Sequence, residues 1–348
     1  MKQSSFFHHL HPVTIPERES RFRYTFGLGG ISVFLFLVLV VTGALELFYY
    51  VPSPDRANQS VQTLTYLVPF GWLVRSLHYW AAQALVVTVI LHMLRVVFTG
   101  AYKRPRRFNW LLGVSLLVLV LLLDFTGYVL KWDADIAWAL LVGTNLLKSI
   151  PLIGPDLYGM VIGGTDINID TVVRFYGWHI FGLALIGFAI MIWHAFRVRR
   201  DGGISSQQGR ASATPSDIPR PRITRDELVR KEALGALIAT IILLLLSLFF
   251  PPSIGPVGDF TQTPAEAIAP WFFIWVQQLL RWGDALPMGV LIPIGLLILL
   301  ALVPFWIDRR DQGVAHWFNR EGRVAQVIVI VMVLTMIALT IMGLIPQT

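Results

Sequence analysis

The sequence predicts an all-α integral membrane protein with seven transmembrane helices, in which a four-helix bundle precedes a three-helix domain. The chain has 348 residues, of which 55% are hydrophobic and only 14% charged, whereas a soluble domain carries about a quarter charged residues. Its mean hydropathy is +0.65. Nearly uncharged runs have the length and character of bilayer-spanning helices, which need about 20 apolar residues. Seven spans are predicted, at about 28–50, 73–98, 110–130, 175–196, 233–250, 287–306 and 325–345.

The charge is strongly basic, with a net +7 and an isoelectric point near 9.9. Lys and Arg concentrate in alternate connecting segments: before the first span, between the second and third, and between the fourth and fifth. The 131–173 segment is acidic instead. In a membrane protein this alternation reports topology, so it excludes nucleic-acid binding as the meaning of the basic charge. It predicts a bacterial cytoplasmic-membrane protein with a cytoplasmic N-terminus and a C-terminus on the outer side.

Residues 201–226 are rich in Gly, Ser, Pro and Arg, which is typical of a solvated linker. They divide a predicted four-helix domain at 1–200 from a three-helix domain at 227–348. The first 20 residues are polar and do not form a secretory signal. The chain has no cysteine, which excludes disulfides, iron–sulfur ligation, and haem attached through a thiolate or thioether.

Four of the eight histidines lie inside predicted spans, where a polar residue suggests a function. They are His78 and His92 in the second span and His179 and His194 in the fourth. For any one of them, the alternative to a functional role is a structural one, as a packed or hydrogen-bonded side chain. The remaining four lie in polar segments and are expected at the surface: His8, His9, His11 and His316.

The spacing of the four histidines favours two ligand sites. Fourteen helical residues rise about 21 Å and return to within about 40° of the starting direction, and fifteen return to within about 60°. Both helices descend from the outer side, so His78 comes level with His179, and His92 with His194. The resulting metal-binding pairs predict two bis-imidazole sites stacked through the bilayer, an arrangement suited to electron transfer rather than oxygen binding.

Glycines repeat the histidine period in the neighbouring spans. Gly29 and Gly43 are 14 residues apart in the first span, and Gly113 and Gly127 in the third. Close helix packing is the common role of glycine in membranes. The shared period favours a second interpretation, in which the glycines give clearance to two haem planes.

These motifs resemble the cytochrome b/b6 family. Over residues 20–205 the resemblance to cytochrome b6 includes LGGISVFLFLVLVVTGALELFYY (28–50), FGWLVRSLHYW (70–80), ILHMLRVVFTGAYKRPR (90–106), FTGYVLKWD (125–133) and RFYGWH (174–179). The second half resembles subunit IV of the cytochrome b6f complex through TPAEAIAPWFFIWVQQLLR (263–281). The chain is therefore similar to a cytochrome b6 fused to subunit IV.

The resemblance implies two non-covalent b-type haems and a quinone or quinol. The low-potential haem would bind His78 and His179, and the high-potential haem would bind His92 and His194. Four arginines fall where they would neutralise haem propionates or face an inner quinone site: Arg75, Arg95, Arg199 and Arg200. For Arg95 and Arg199, anchoring by the positive-inside rule is the alternative.

Two positions depart from the family pattern. Gly27 stands where cytochrome b6 has a haem-tethering cysteine, which excludes a covalent third haem. The outer-site Pro-Glu-Trp-Tyr motif aligns with Ala269, Pro270, Trp271 and Phe272, so its glutamate is proline here. We hypothesise that Glu266 replaces that carboxylate as general base; a solvated loop or helix-start role is the alternative for Glu266, and Asp133 or a water chain could serve instead. Trp271 and Phe272 could equally be interfacial aromatic residues.

The leading functional interpretation is the dihaem cytochrome b subunit of a quinol-oxidising Rieske/cytochrome b complex. Quinol would dock near Tyr128, Pro270, Trp271 and Phe272, and electrons would pass through both haems to an inner quinone site with proton translocation. The expected partners are a Rieske iron–sulfur protein, a c-type cytochrome or other redox subunits, the quinone pool and lipid, in a dimer of the complex. Such a chain is an electron-transfer subunit of a quinol:cytochrome c, or similar, oxidoreductase.

Two alternatives come from other classes. A dihaem, quinone-reactive membrane anchor of another respiratory oxidoreductase would keep the haems without quinol bifurcation, and the missing glutamate favours it. The retained second half argues against it. A transporter without redox function would show broken helices or inverted repeats, and haem content distinguishes it from both.

Overall fold

The computed structural model describes residues 14–17, 21–201, 203–204, 222–258, 268–314 and 316–345. Within these residues, seven helices are long and apolar enough to cross a membrane, which confirms the predicted all-α membrane fold. We number them span one to span seven. Their bounds are Leu28–Glu46, Gly71–Phe98, Arg107–Val129, Ile169–Arg200, Arg225–Phe249, Ala285–Ile307 and Arg320–Leu344.

Most span ends lie within a few residues of the predicted ends, but spans four and five begin earlier. Span five starts at Arg225 instead of 233, because Thr224 caps it by accepting a hydrogen bond from the Glu227 backbone N–H. Asp226 and Glu227 also place negative charge in its first turn, where the helix dipole favours it. Span four starts at Ile169 with an Asn168 cap. Hydropathy missed both polar first turns because they extend the helices beyond their apolar stretches.

Shorter elements fill the connections. Helices run over Phe22–Thr25, Ala57–Tyr66, Ala134–Lys148, Gly154–Ile162 and Ile274–Leu280, the last after a 3₁₀ turn at Trp271–Phe273. Strand Thr14–Pro16 pairs antiparallel with Arg222–Thr224, which places the N-terminal segment beside the start of span five. Residues 205–221 of the predicted linker lie outside the described residues, as do His8, His9 and His11.

Four segments meet at one end of the bundle, which we call the basic end: those before span one and between spans two and three, four and five, and six and seven. Lys103 forms a buried ion pair with Asp308 at 2.9 Å, and the Tyr102 hydroxyl donates to the same carboxylate at 2.6 Å. Burial, together with the Asp308 hydrogen bond, raises the pKa of Tyr102 well above its usual value. Arg107 adds an ion pair to Asp311 at 3.0 Å. These contacts join the two halves of the chain.

The remaining three connections meet at the opposite end, which we call the acidic end. The central residue is Asp133, whose buried carboxylate accepts hydrogen bonds from the backbone N–H groups of Ile136 and Gly255 and pairs with Lys131 at 2.8 Å. Asn58 donates to the carbonyls of Lys131 and Gly255. All three acidic-end connections are therefore tied together around Asp133.

Two apolar clusters join spans from both halves of the chain. One contains Leu35, Val86, Val120 and Leu243, which joins spans one, two, three and five. The other joins spans two, three, six and seven through residues that include Val97, Trp110, Val303 and Val329. Large apolar side chains stay exposed along the outside of the spans, as expected of a surface that faces lipid. Both halves thus share one core.

Candidate functional site: two histidine pairs and an aromatic cluster

The four span histidines form two facing pairs. The imidazole centroids of His78 and His179 are 6.4 Å apart, and those of His92 and His194 are also 6.4 Å apart. The partners belong to spans two and four in both cases. We call them the His78 pair and the His92 pair. Because 14 residues of helix rise about 21 Å, the His78 pair lies toward the acidic end and the His92 pair toward the basic end.

A π-helical turn explains why unequal spacings still give matching pairs. Span two separates its histidines by 14 residues, whereas span four separates them by 15. Residues Trp178–Leu183, which contain His179, form a π-helical turn within span four. A π turn holds one more residue than an α turn, so it absorbs the extra residue of the longer interval. Sequence analysis missed this turn, and its only signal was the one-residue difference in spacing.

Each of the four periodic glycines contacts one imidazole. A Cβ atom on Gly43 would lie 3.1 Å from His78 Cε1, and one on Gly127 would lie 2.9 Å from His179 Cε1. The corresponding distances are 3.3 Å between Gly29 and His92 and 3.5 Å between Gly113 and His194. Spans one and three therefore support the rings of spans two and four. The described contacts show glycine making room for the imidazole rings themselves.

Threonines fix the ring orientation in the His78 pair. Thr42 Oγ1 lies 2.9 Å from His78 Nδ1 and 2.7 Å from the Val38 carbonyl. Since the carbonyl can only accept, the hydroxyl donates to it and accepts from Nδ1–H. Thr126 makes the same arrangement with His179, at 3.0 Å from Nδ1 and 2.8 Å from the Leu122 carbonyl. Both rings then carry their proton on Nδ1, which leaves the Nε2 lone pairs available as ligands.

The His92 pair has no such support. Its glycines follow Leu28 and Leu112 in the chain, which have no hydroxyl. The Nδ1 atoms of His92 and His194 are buried and have no side-chain hydrogen-bond partner among the described residues, and His194 has the backbone of Asn109 as a partner instead.

Two imidazoles per site are a ligand set that suits haem, in which the macrocycle supplies the other ligands of the iron. Among the described residues, no group of three or more His, Asp or Glu could hold a bare metal ion, so each pair offers only two ligands. An imidazole–metal bond of about 2.0–2.1 Å and roughly 1.1 Å from nitrogen to ring centre would give about 6.2–6.4 Å between two ring centres that share one metal. The observed 6.4 Å separations fit this range. The residues present therefore fit two bis-histidine haems.

The four predicted arginines lie in different surroundings. Arg75 is buried and donates to the carbonyls of Pro252 and Ser253 at 2.8 and 3.0 Å, so it links span two to the connection after span five. Arg95 is buried one turn beyond His92. Its guanidinium carbon lies 5.7 Å from the centre of the Tyr24 ring.

The other two arginines lie at the basic end of span four. Arg199 is partly buried there, and Arg200 pairs with Asp201 at 3.2 Å. His316 is exposed, also at the basic end.

The predicted quinol-site residues form one aromatic cluster against spans two and three. Tyr128 and Phe272 stand edge to face with ring centroids 6.3 Å apart, and Trp271 contacts Phe272 at 5.6 Å. Pro270 precedes the 3₁₀ turn that carries both aromatic residues. Tyr79 joins the cluster through its hydroxyl, 3.4 Å from that of Tyr128. Glu266 lies outside the described residues, so its role as a base stays a prediction.

Two polar residues beside this cluster were missed by sequence analysis. Trp271 Nε1 donates to Gln83 Oε1 at 2.6 Å, and Gln83 Nε2 donates to the Asp124 carboxylate at 3.2 Å. Gln83 belongs to span two and Asp124 to span three. The signal that could have found Asp124 is its position as the one charged residue between 111 and 130.

Comparison with known proteins gives two family matches. Residues 15–202 match the family model "Cytochrome b/b6/petB", and residues 257–348 match "Cytochrome b(C-terminal)/b6/petD". The chain belongs to the cytochrome b/b6 family. It is an integral membrane protein of that family, with a b6-like part followed by a subunit-IV-like part. Membership implies b-type haem, and the absence of cysteine fits non-covalent binding.

Individual relatives match the first half. Cytochrome b6 of Heliomicrobium gestii is 41% identical over 177 residues, which are 51% of this chain and 83% of that protein. Cytochrome b6 of Tupiella akineta is 41% identical over 175 residues, covering 50% of this chain and 81% of that protein. A solved structure titled "Hyperthermophilic respiratory Complex III" aligns with a TM-score of 0.78 at 25% identity. The alignment covers 93% of this chain and 85% of that one, so it includes both halves.

Proposed function

We propose that this chain is the dihaem cytochrome b subunit of a quinol-oxidising Rieske/cytochrome b complex. The observation that carries the proposal is the pair of matched histidine sites stacked between spans two and four. The similarity to a respiratory Complex III chain across both halves supports the multisubunit bc-type assembly. The partners are then a Rieske-type iron–sulfur protein and a c-type cytochrome or other redox subunit, in a dimer of the complex.

The proposed orientation places the basic end in the cytoplasm. The region between spans six and seven supports it, because Arg309 and Arg310 lie in the connection and Arg320 and Arg323 in the first turn of span seven. Tyr24 from the N-terminal segment packs with Val314 from the same connection, so the two lie on one side. The N-terminus is then cytoplasmic and the C-terminus external, in a bacterial cytoplasmic membrane.

In this orientation the chain separates two quinone-reactive sides. The aromatic cluster of Tyr128, Pro270, Trp271 and Phe272 forms the external docking site for quinol, next to the His78 pair. His78 with His179, and His92 with His194, would each hold a haem, which would supply one-electron transfer. The chain's own contribution is to hold the imidazoles at two depths, so that electrons cross to a quinone site at the basic end. Arg75, Arg95, Arg199 and Arg200 supply the positive charge near the two sites.

A second candidate function is a dihaem quinone-reactive anchor of another respiratory oxidoreductase. Pro270 favours it, because proline cannot accept the quinol proton at that position. The subunit-IV-like half favours the first function, because it supplies Trp271 and Phe272 and packs Phe272 against Tyr128.

An oxidant pulse distinguishes the two functions. The purified complex receives quinol together with an inhibitor of the inner quinone site, and b-type absorbance is followed after the pulse. A transient extra reduction of haem b is expected, because the two quinol electrons take separate routes. Simple oxidation of haem b would contradict bifurcation and favour the anchor, and no haem signal would contradict both.

A further inference from the structure

Asp124 is a buried carboxylate inside the membrane with no cation beside it. It lies in span three and is 8% exposed. Its described partner is the side-chain amide of Gln83, at 3.2 and 3.4 Å from the two carboxylate oxygens. No described Lys, Arg or His forms an ion pair with it. An ionisable group at this depth is costly to keep and by default indicates a function.

The hydrogen bonds around Gln83 have a defined direction. Indole nitrogen can only donate, so Trp271 Nε1–H must face Gln83 Oε1. The Gln83 NH₂ group is therefore turned toward Asp124, where it donates to the carboxylate. Gln83 is itself buried, at 7% exposure. A fixed chain of donors thus runs from the subunit-IV-like half to Asp124.

The carboxylate also lies beside both parts of the proposed quinol-oxidising site. Tyr128 follows Asp124 by one helical turn on the same face and belongs to the aromatic cluster. On the other side, Thr126 and Gly127 lie two and three residues after Asp124 in span three and contact His179. Asp124 is therefore within about one helical turn of the docking cluster and of the support for the His78 pair.

Other carboxylates near this end are less suited to accept a proton from quinol. Asp133 is fully buried, but its oxygens already accept two backbone N–H bonds and pair with Lys131. Glu46, at the end of span one, has a buried Oε1 atom without a hydrogen-bond partner. No described hydrogen bond links Glu46 to Gln83, Trp271 or the aromatic cluster. Of the three carboxylates, only Asp124 is linked to the aromatic cluster by described hydrogen bonds, which run through Gln83 to Trp271.

We propose that Asp124 is a proton-accepting residue of the quinol-oxidising site, held in position by Gln83. The proposal rests on the proposed function. In the step, a quinol O–H bond breaks and an O–H bond forms on an Asp124 carboxylate oxygen. The two electrons go to an iron–sulfur acceptor and to the b haem of the His78 pair, and the second proton leaves to the external aqueous phase. Among the described residues, Gln83 donates to Asp124 and Tyr128 lies one helical turn away, and only Tyr128 of these two titrates.

The test uses the isolated complex carrying Asp124→Asn, with Glu46→Gln as the matched control at another buried carboxylate. We expect Asp124→Asn to slow quinol oxidation by about 100-fold or more, the range for loss of a general base, and to remove one ionisation from its pH profile. Glu46→Gln should keep the wild-type rate of quinol oxidation and the same ionisation in the pH profile. A wild-type rate and pH profile in Asp124→Asn would overturn the proposal. A decrease in the rate of quinol oxidation in Glu46→Gln as large as that in Asp124→Asn would also overturn it.

An infrared readout is independent of turnover. Difference spectra between low and high pH, recorded without quinol, should contain a carboxyl band that Asp124→Asn lacks and Glu46→Gln retains. If the band persists in Asp124→Asn, the proposal is wrong. Should Asp124→Asn fail to bind haem, Asp124→Glu keeps a carboxylate that is one methylene longer, and it must shift the pH profile or the proposal fails.

Failure of the proposed function gives a different pattern. Wild-type complex would then lack the oxidant-induced reduction of haem b altogether. Reduction of haem from the inner quinone side provides the internal control, because it does not pass through Asp124 and is expected to be unchanged in all variants.

Discussion

The His78 pair and the His92 pair share one ring separation, 6.4 Å, but differ in the residue that precedes each supporting glycine. At the His78 pair these residues are Thr42 and Thr126, and both accept a hydrogen bond from a ring Nδ1–H. At the His92 pair they are leucines, which offer no hydroxyl to a ring nitrogen, and His194 has the backbone of Asn109 as a partner instead.

The difference separates two roles. The glycine period fixes where the four imidazoles lie, whereas the residue before each glycine decides whether a ring Nδ1–H has a hydroxyl acceptor, which we expect to change the basicity of that imidazole. An acceptor on Nδ1–H makes imidazole a stronger donor to the metal and stabilises the oxidised iron. We therefore expect the lower potential at the His78 pair, as the family resemblance also implies.

The largest expected effect is loss of one haem. His78→Ala should remove the haem of the His78 pair and leave the other, because bis-histidine binding needs both imidazoles; His92→Ala should do the converse. Haem per polypeptide, measured by extraction, should fall from two to one in each variant. Loss of both haems from either variant would indicate that the sites do not form independently.

Glycine substitutions sharpen the comparison. A Cβ at residue 127 would lie 2.9 Å from His179, whereas one at residue 113 would lie 3.5 Å from His194, an ordinary contact. Gly127→Ala should therefore weaken haem retention at the His78 pair by about tenfold, since overpacking costs about 1–3 kcal/mol. Gly113→Ala is the matched control and should keep its haem. Equal retention in the two variants would show that the glycines do not limit the ring positions.

The smallest effect concerns the threonines. The double variant Thr42→Val, Thr126→Val keeps side-chain shape but removes both acceptors. The midpoint potential of the His78-pair haem should rise by up to about 59 mV, a tenfold change in a one-electron couple. The His92-pair potential should stay unchanged in the same redox titration. A shift confined to the His92 pair, or none at all, would exclude the threonines as the source of the difference.

Sequence patterns predicted what depends on periodicity. The seven spans follow from hydropathy, and the positions of the four histidines and four glycines follow from helical rise and rotation. The threonines were also visible, as the residues before Gly43 and Gly127, but their hydrogen bonds depend on ring orientation, which spacing does not give.

Contacts between distant residues could not be predicted in this way. Trp271 and Gln83 are 188 residues apart, and Gln83 and Asp124 are 41 apart, so only the packing of the two halves brings them together. Arg75 similarly finds its acceptors at Pro252 and Ser253. The π-helical turn at Trp178–Leu183 depends on a change in backbone hydrogen bonding that hydropathy does not report.

The most direct test of the central claim is an equilibrium redox titration of the purified protein, followed through b-type absorbance. Two one-electron components of equal amplitude are expected, with the lower one lost in His78→Ala and the higher one lost in His92→Ala. A single component in the wild-type protein, or the opposite assignment in the two variants, would contradict the account.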